Sequence, residues 1–353
     1  MHVRGVALPG GEPFEGWTDG ARLSLAPVPG ARTVVDGGFL LPGLVDAHSH
    51  PGRGGLGAPL DEAKLDADLR AHAAAGITAV RAAGSPDRPL PAALRRPAAG
   101  LPLVADTGVP LGVPGQFPAG AGRIVAPAGL PDAAAEHSQA AGGWCKIYAD
   151  WIVDSGTLAA PPLTPPGALA AAVRAVHAAG GRVAVHALHP DACRAVVEAG
   201  ADTLEHGLWL DPALLPRMAA QGTALTPTIT VWARQLAAIE AEPGPAGKWF
   251  LDGLHRLPWL AAQAWSAGVT VLAGTDSEPH GRVTDEIRGL ARALPAAEAL
   301  AAAAWSARAF LGLPPGLAHG ARADLVAYPR DPREDLAVLD EPARVIVAGQ
   351  LLR

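Results

Sequence analysis

The chain has 353 residues, of which 49% are hydrophobic and 18% are charged, and its formal net charge is −6 at pH 7. This composition predicts a well-buried globular protein and argues against a nucleic-acid-binding surface. No apolar run is long enough to predict a transmembrane helix, and the N-terminal segment does not resemble a signal peptide. The two cysteines, Cys145 and Cys193, make no disulfide framework, so we expect a cytoplasmic protein.

Both ends of the chain carry short β-type segments bounded by glycine and proline. Residues 1–38 contain "ARLSLAP" and "ARTVVDGG", and residues 321–353 contain "ARADLVAYP" and "ARVIVAGQLLR". We therefore predict that residues 1–38 and 321–353 form one small composite β domain, a β-sandwich beside the main domain. Residues 39–320 would form that main domain.

Between the two ends, short apolar runs alternate with helical stretches rich in alanine and leucine. This alternation predicts a parallel sheet covered by helices. Eight units over roughly 270 residues favour an α/β TIM barrel, (β/α)8, over an open doubly wound sheet. The glycines of "HPGRGGLG" also lack the dinucleotide spacing that an open sheet would be expected to show. The predicted strands are 39–47, 76–84, 101–108, 144–150, 181–188, 201–207, 223–229 and 268–276.

Polar residues stand at the carboxyl ends of five of these strands, where TIM barrels gather their active sites. Each has an ordinary explanation when taken alone: a surface turn, a hydrogen-bonded core histidine, a helix cap or a structural ion pair. Their coincidence at one end of the barrel favours a metal site. His48 and His50, two residues apart on one strand, project to the same side. The residues of this set are His48, His50, Lys146, His186, His206 and Asp276.

Lys146 is unusual because the chain has 3 lysines among its 28 basic residues. Lys64 and Lys248 lie in charged helical stretches, where arginine would serve equally well. Lys146 lies inside the apolar strand "WCKIYAD". Cys145 beside it should point to the opposite face of the strand, and Cys193 should lie in the core. The choice of lysine at position 146 therefore indicates a role that a guanidinium cannot fill.

Several motifs resemble the amidohydrolase superfamily, and the resemblance covers nearly the whole chain. "LLPGLVDAHSHPG" is similar to the opening strand of that family with its HxH metal pair. "VAVHAL", "GADTLEHG" and "VLAGTDS" are similar to its later histidine, histidine and aspartate motifs. "GARADLVAYPRDP" and "RVIVAGQLLR" resemble the ending that completes the family's β domain. Within the family, the chain resembles the branch of imidazolonepropionase-like proteins and lysine-bearing prolidases.

The resemblance implies a binuclear metal centre with a carboxylated lysine. In two-metal members of the family, a lysine of the fourth strand reacts with CO2, and the resulting carbamate bridges both ions. "WCKIYADW" is similar to the segment that carries it, so Lys146 would take this part. Burial lowers the pKa of a lysine towards the neutral, nucleophilic amine, whereas arginine stays protonated. Zn2+ is the favoured metal, with cobalt, manganese or iron as alternatives. The implied ligands are His48, His50 and Asp276 for the first ion, and His186 and His206 for the second.

The activity implied by the resemblance is hydrolysis of a C–N bond in a small molecule, an Xaa-Pro dipeptide or an N-acyl compound. A metal-bridging hydroxide would attack, and Asp276 would carry the proton to the leaving group. One alternative is a mononuclear deaminase, a lactonase or another hydrolase of cyclic amides or esters on the same barrel. Another is a non-enzymatic descendant of the family, which should have lost some ligands. A homo-oligomer is compatible with the resemblance.

Loop residues after the strands are expected to set substrate specificity. Two segments depart from the relatives: "VRAAG" lacks an aspartate after the arginine, and Gln116 and Phe117 replace a glycine-histidine-glycine element. These departures affect the prediction of substrate rather than that of the metal ligands. The predicted substrate-binding residues are Tyr148, Trp151, Asp154, His189, Trp209, Thr228, Glu278 and His280.

Overall fold

The computed structural model describes residues 1–115, 120–151, 163–241 and 244–353. Within these ranges it is an α/β protein, as predicted, with three β-sheets. The strands are β1 (His2–Ala7), β2 (Glu12–Asp19), β3 (Arg22–Ser24), β4 (Thr33–Leu41), β5 (Leu44–Ser49), β6 (Ile77–Ala82), β7 (Leu103–Asp106), β8 (Leu111–Gly112), β9 (Arg123–Ile124), β10 (Trp144–Tyr148), β11 (Arg182–Ala187), β12 (Thr203–His206), β13 (Ala224–Thr226), β14 (Leu325–Tyr328), β15 (Arg344–Val347) and β16 (Gln350–Leu351).

Helices follow most strands of the central part of the chain, and several have the capping residues that the sequence suggests. Asp61 accepts hydrogen bonds from the Ala63 and Lys64 amides and so begins the first helix. Gly142 ends the second helix with φ +87°, a conformation that glycine adopts without strain. The helices are α1 (Glu62–Ala74), α2 (Leu130–Ala141), α3 (Pro166–Ala178), α4 (Pro190–Ala199), α5 (Leu215–Gln221), α6 (Ile229–Ala241), α7 (Pro245–Ser266), α8 (Val283–Leu290), α9 (Ala296–Ala301) and α10 (Trp305–Phe310).

One seven-stranded sheet joins the two ends of the chain in the order β16-β15-β14-β4-β1-β2-β3. Strand β4 lies at its centre, parallel to β1 and antiparallel to β14. The pairing of N-terminal with C-terminal strands is the contact that the sequence predicts. The exact domain boundaries, after residue 38 and before residue 321, stay predictions.

The other two sheets are parallel, with the orders β5-β6-β7 and β13-β12-β11-β10-β8-β9. The prediction of a single strand over 39–47 is wrong, because Pro42 and Gly43 interrupt the strand and separate β4 from β5. Gly43 has φ +92°, and a Cβ there would lie 2.2 Å from the Thr78 hydroxyl. The break sends β4 into the sheet of the chain ends and β5 into the parallel sheet.

The segment 270–276 lies between the two parallel sheets and hydrogen-bonds to both. On one side, the Leu225 amide donates to the Thr270 carbonyl over 2.9 Å, and the Leu272 amide donates back to Leu225 over 2.9 Å. On the other side, the Ala47 amide donates to the Ala273 carbonyl over 2.8 Å. The segment therefore occupies the place of the eighth predicted strand, although only an isolated bridge is formed there.

The largest apolar core lies between the parallel strands and the helices that cover them. Ile147 on β10, Val185 on β11 and Leu204 on β12 are fully buried in it, together with helix residues such as Val173 and Val196. Both cysteines are buried and free, as the sequence suggests. Among the described residues, no helix is long and apolar enough to span a membrane.

Candidate metal centre

Three residues from the first and last parallel segments bring their ligand atoms together. His50 Nε2 lies 3.2 Å from Asp276 Oδ1, and His48 Nε2 lies 3.8 Å from the same oxygen. One ligand atom from each residue fits within a 4.8 Å cluster, a spacing suited to a single metal ion. The Asp276 amide donates to the His48 carbonyl over 2.8 Å, so the backbone itself fixes the two segments together.

The hydrogen bonds of the two histidines leave the Nε2 atoms available as ligands. His50 Nδ1 donates to the Gly84 carbonyl over 2.9 Å, since a carbonyl can only accept. His48 Nδ1 lies 2.5 Å from the Glu205 carboxylate and donates to it. Burial, followed by the charge of Lys146, lowers the pKa of His48, and burial lowers that of His50 to about 4. Both rings are therefore neutral near pH 7, as metal ligands must be.

Lys146 is buried on β10, with 1% of its surface exposed. Its Nζ has no hydrogen-bond partner among the described residues. Burial is the main cause that lowers its pKa to about 8, while Glu205 and Asp276 act in the opposite direction. An ammonium group left without partners at such depth is costly. The amine is therefore suited to chemical modification or to contact with a bound group.

His186 and His206 lie beside the first cluster because β10, β11 and β12 pair in register. Tyr148 pairs with His186, and Ala187 pairs with His206. The two imidazole rings are 4.5 Å apart, and the ring of His206 is 5.2 Å from that of His48. Burial lowers the pKa of His206 to about 3 and holds that of His186 well below its usual value. All six residues predicted as ligands therefore meet in one buried region.

A buried ion pair that the sequence analysis missed supports His48. Arg81 donates to the Glu205 carboxylate over 2.8 and 2.9 Å, to Thr203 Oγ1 over 2.8 Å and to the Ala47 carbonyl over 2.6 Å. Although burial acts to raise the pKa of Glu205, Arg81 and His48 hold it well below the usual range. The ionised Glu205 thus orients the His48 ring. An arginine in an otherwise apolar strand, "ITAVRA", was the signal that could have revealed it.

Strained backbone marks the same region. Among the described residues, four that are not glycine have positive φ, and three of them are His206 (66°), Thr228 (52°) and Asp276 (46°). Thr228 Oγ1 is hydrogen-bonded to His206 Nδ1 over 2.7 Å. Such conformations cost about 1–3 kcal/mol each and collect at functional sites. His206 and Asp276, two of the predicted ligands, therefore have unfavourable backbone conformations that the surrounding structure must stabilise.

A cavity of about 460 Å³ opens above these residues. All six predicted ligands line it, and the rest of its wall is mainly apolar. Tyr148 and Trp151 lie on this wall, as predicted for substrate contacts, and the Trp151 ring stacks on His186 at 5.1 Å. The other described lining residues are Arg53, Leu56, Leu188, Val231, Trp232, Gln235 and Phe250.

Four other predicted substrate-binding residues do not line this cavity. His189 caps α4, and its amide donates to Asp150 over 2.6 Å. Trp209 packs against Trp249 with ring centroids 5.5 Å apart, and Thr228 supports His206 from behind. Glu278 lies 3.3 Å from Lys64, outside the cavity wall. Asp154, Gln116 and Phe117 lie outside the described residues.

His280 instead joins a separate buried group behind the cavity. Its Nδ1 is 3.2 Å from Ser49 Oγ, and His72 Nε2 is 3.3 Å from the same hydroxyl. His280 Nε2 is 3.3 Å from Asp68. The side chain of His72, on α1, is completely buried. The helical stretch around it, "DADLRAHAAA", has too weak an apolar periodicity to predict which face is buried.

The comparisons with known proteins show the family and the fold of the chain. The amidohydrolase family model matches residues 39–352. Uncharacterized proteins of Mycobacterium tuberculosis (strain ATCC 25618 / H37Rv) and of Mycobacterium bovis are each 39% identical over 366 residues, covering 99% of this chain and 95% of their own.

Solved structures of similar fold cover almost the whole chain. A Xaa-Pro dipeptidase with bound methionine has a TM-score of 0.83 at 20% identity, covering 100% of this chain and 98% of its own. A prolidase complexed with N-methylphosphonate-L-proline has a TM-score of 0.82 at 24% identity, covering 99% and 98%. The ochratoxinase of A. niger has a TM-score of 0.77 at 20% identity, covering 100% and 95%. At these identities the likeness shows a shared fold.

Proposed function

This chain belongs to the amidohydrolase family, and from that premise we propose that it hydrolyses the amide bond of a small Xaa-Pro dipeptide or N-acyl compound at two divalent metal ions. It is a hydrolase of carbon–nitrogen bonds, as its family is. The observation that carries the proposal is the convergence of His48, His50 and Asp276 beside the buried Lys146, whose Nζ has no hydrogen-bond partner among the described residues.

The residues fit a pair of metal ions by their donor chemistry. His48, His50 and Asp276 would hold one ion, and His186 and His206 the other. The neutral imidazoles and the ionised Asp276, whose pKa is held well below its usual value by nearby histidines despite burial, suit Zn2+. When bound, the two ions would activate water and polarise the substrate carbonyl.

Lys146 would supply the bridging ligand as a carbamate. Its amine attacks CO2, forms a C–N bond and releases a proton, which converts a costly buried cation into an anion. The lowered pKa provides the neutral amine that this step needs. Carboxylation would turn a buried amine that has no hydrogen-bond partner among the described residues into a ligand group for the two ions. This step also explains the absence of arginine at the position.

Asp276 is the residue that we propose to move the proton. Its carboxylate is ionised and lies on the cavity wall beside both Nε2 atoms of the HxH pair. It can accept the proton of the attacking water and donate it to the leaving nitrogen. Gly84 and Glu205 keep the two histidines in the tautomer that leaves Nε2 as the ligand.

The closed (β/α)8 barrel and the domain boundaries are part of the same proposal. The segment 270–276 hydrogen-bonds to both parallel sheets and so links them on one side. On the other side, β7 of the three-stranded sheet is followed in the chain by β8 of the six-stranded sheet. These contacts support closure into a barrel over residues 39–320. The small composite domain of residues 1–38 and 321–353 would be built on the sheet of the two chain ends.

The substrate class is supported by the size and lining of the cavity. About 460 Å³ suits a dipeptide or an N-acyl amino acid, and the aromatic wall suits an apolar group. The Xaa-Pro dipeptidase and the prolidase of similar fold support the dipeptide reading. The buried Lys146 speaks against a mononuclear deaminase, which would need no bridging ligand.

The test is turnover by metal-loaded protein on Xaa-Pro dipeptides and N-acyl amino acids, with the released amine measured. We expect activity in the wild type and a loss of about 10²–10⁴-fold in Asp276→Asn at equal metal content. No turnover of amides, lactams or esters by the metal-loaded protein would refute the proposal. Full activity of Asp276→Asn would remove the proton-transfer role alone.

A further inference from the structure

Arg53 lines the cavity of the candidate metal centre and brings a positive charge to its wall. It follows the last histidine of the HxH pair by three residues and is partly exposed, whereas Lys146 in the same cavity wall is buried. The described carboxylates form no ion pair with Arg53, and Asp276 on the same wall lies 3.2 Å from His50 Nε2. A guanidinium on a cavity wall that no described carboxylate neutralises is suited to binding an anionic ligand.

Two neighbours place Arg53 beside the candidate ligand His50 and the aromatic wall of the cavity. Burial and then the charge of Arg53 lower the pKa of His50. Burial raises the pKa of Tyr148 to about 12, and the charge of Arg53 and a hydrogen bond from it act against this rise. Arg53 therefore adjoins His50 and the Tyr148 hydroxyl at once.

The apolar part of the wall adjoins a different candidate ligand. The Trp232 ring lies 5.8 Å from that of His206, and Phe250 packs on Trp232 with ring centroids 5.9 Å apart. The part of the cavity near His50 is therefore positively charged, and the part near His206 is apolar. A substrate lying across the centre would present an anionic group to one part and an apolar group to the other.

We propose that Arg53, with Tyr148 beside it, binds a free carboxylate of the substrate next to the scissile amide. The substrate class is then N-acyl amino acids or dipeptides with an apolar acyl part on the Trp232 wall. This inference rests on the proposed amide hydrolysis for its reaction. A guanidinium is suited to the task because its fork of N–H donors matches a carboxylate in two parallel hydrogen bonds.

The experiment compares two compounds that share one scissile amide and differ by the carboxylate: N-benzoyl-L-leucine and N-(3-methylbutyl)benzamide. The ratio of their kcat/KM values is measured for the wild type, Arg53→Gln and Arg53→Lys. We expect the wild type to prefer the carboxylate, and Arg53→Gln to lower that preference roughly 10- to 100-fold. Arg53→Lys should keep part of it. Arg70→Gln is the matched control, because Arg70 lies exposed on α1 and pairs with Asp66.

The outcomes separate this inference from the proposed function. Hydrolysis of both compounds with an unchanged ratio in Arg53→Gln would overturn the role of Arg53 while leaving amide hydrolysis intact. If the wild type hydrolyses neither compound, binding of N-benzoyl-L-leucine to the metal-loaded protein is measured by calorimetry. Binding that Arg53→Gln weakens and Arg70→Gln does not would support the carboxylate site without the reaction. Binding that is absent, or equal in Arg53→Gln and the wild type, would overturn it.

Discussion

Two buried cations in this protein have opposite surroundings. Arg81 and Lys146 are each 1% exposed. Arg81 donates to a carboxylate, two threonine hydroxyls and a carbonyl, so that its charge is compensated. Lys146 Nζ has no hydrogen-bond partner among the described residues and a pKa lowered to about 8. We interpret Arg81 as a charge that stabilises the fold, and Lys146 as the group that reacts in the proposed function.

Replacement of Lys146 by methionine should show the largest effect, and on activity rather than stability. Without the bridging ligand we expect turnover to fall by at least about 10³-fold, since a metal ion supplies several kcal/mol of transition-state stabilisation. In the metal-free protein the melting temperature should stay the same or rise, because a buried amine is replaced by an apolar chain of similar length. Steady-state kinetics of the metal-loaded proteins and calorimetric melting of the metal-free proteins measure the two effects separately.

Lys248→Met provides the control, since Lys248 is an exposed lysine paired with Asp252. It should match the wild type in both measurements. A Lys146→Met protein that keeps full turnover would show that Lys146 is not needed for activity.

Replacement of Arg81 by methionine should act mainly on stability. Glu205 would keep its buried charge and lose its cation, which typically costs about 3–5 kcal/mol. Chemical denaturation of the two proteins should show this loss in the free energy of unfolding. Arg70→Met, which removes an exposed ion pair, should change it by less than about 1 kcal/mol. Equal values for the two variants would show that the Arg81 network is not structural.

Glu286 is a buried carboxylate that forms no ion pair within the described part of the chain, and its pH dependence extends the comparison to a buried anion. Glu286 accepts hydrogen bonds from the Ile229 and Thr230 amides, and burial raises its pKa to about 7, with Asp46 acting in the same direction. The folded protein therefore binds a proton more tightly than the unfolded chain. The contribution of protonated Glu286 to the stability of the fold is complete below pH 4.5 and is lost as the pH rises through 7.

The corresponding test compares the wild type with Glu286→Gln, which cannot ionise. From pH 5 to pH 8 we expect the stability advantage of the wild type to shrink by roughly 2–3 kcal/mol. Denaturant unfolding at both pH values measures the difference. A constant or growing advantage would mean that the folded protein holds Glu286 ionised.

Gly274 tests how tightly the backbone holds the candidate ligands. A Cβ at this position would lie 2.6 Å from His48 Cβ and 2.7 Å from the His48 backbone nitrogen. We expect Gly274→Ala to destabilise the fold by about 1–3 kcal/mol and to displace the HxH strand. The melting temperature and the affinity for Zn2+ should both fall. Gly167→Ala in α3 has open space around it and should leave both unchanged, whereas equal behaviour of the two variants would contradict this account.

The six candidate ligands that the sequence singled out line one cavity, because each stands at or near the carboxyl end of a strand or strand-like segment with a recognisable pattern. "DAHSH" placed His48 and His50 on one side of β5, and the family resemblance is confirmed by the family model. Strand periodicity also predicted the parallel α/β layers. The break at Gly43 was missed because "FLLPGLV" is apolar on both sides of the glycine.

The contacts that depend on three-dimensional packing could not be read from the sequence. Glu205 lies beside His206, and only the placement of β6 against β12 brings Arg81 to it. His280 stands in a loop whose direction no local pattern fixes, and it turns to Ser49 instead of the cavity. Arg53 was overlooked because its loop shows only glycines around it. Its role follows from the cavity wall that it shares with His50.

The most direct test of the account is the metal content per chain, measured by plasma mass spectrometry on protein purified without chelator from zinc-supplemented cells. The account predicts close to two divalent ions in the wild type and in Lys248→Met, and fewer in Lys146→Met. One ion in the wild type and in Lys146→Met alike would make Lys146 an ordinary buried lysine. A folded wild-type protein without bound metal would contradict the metal centre itself.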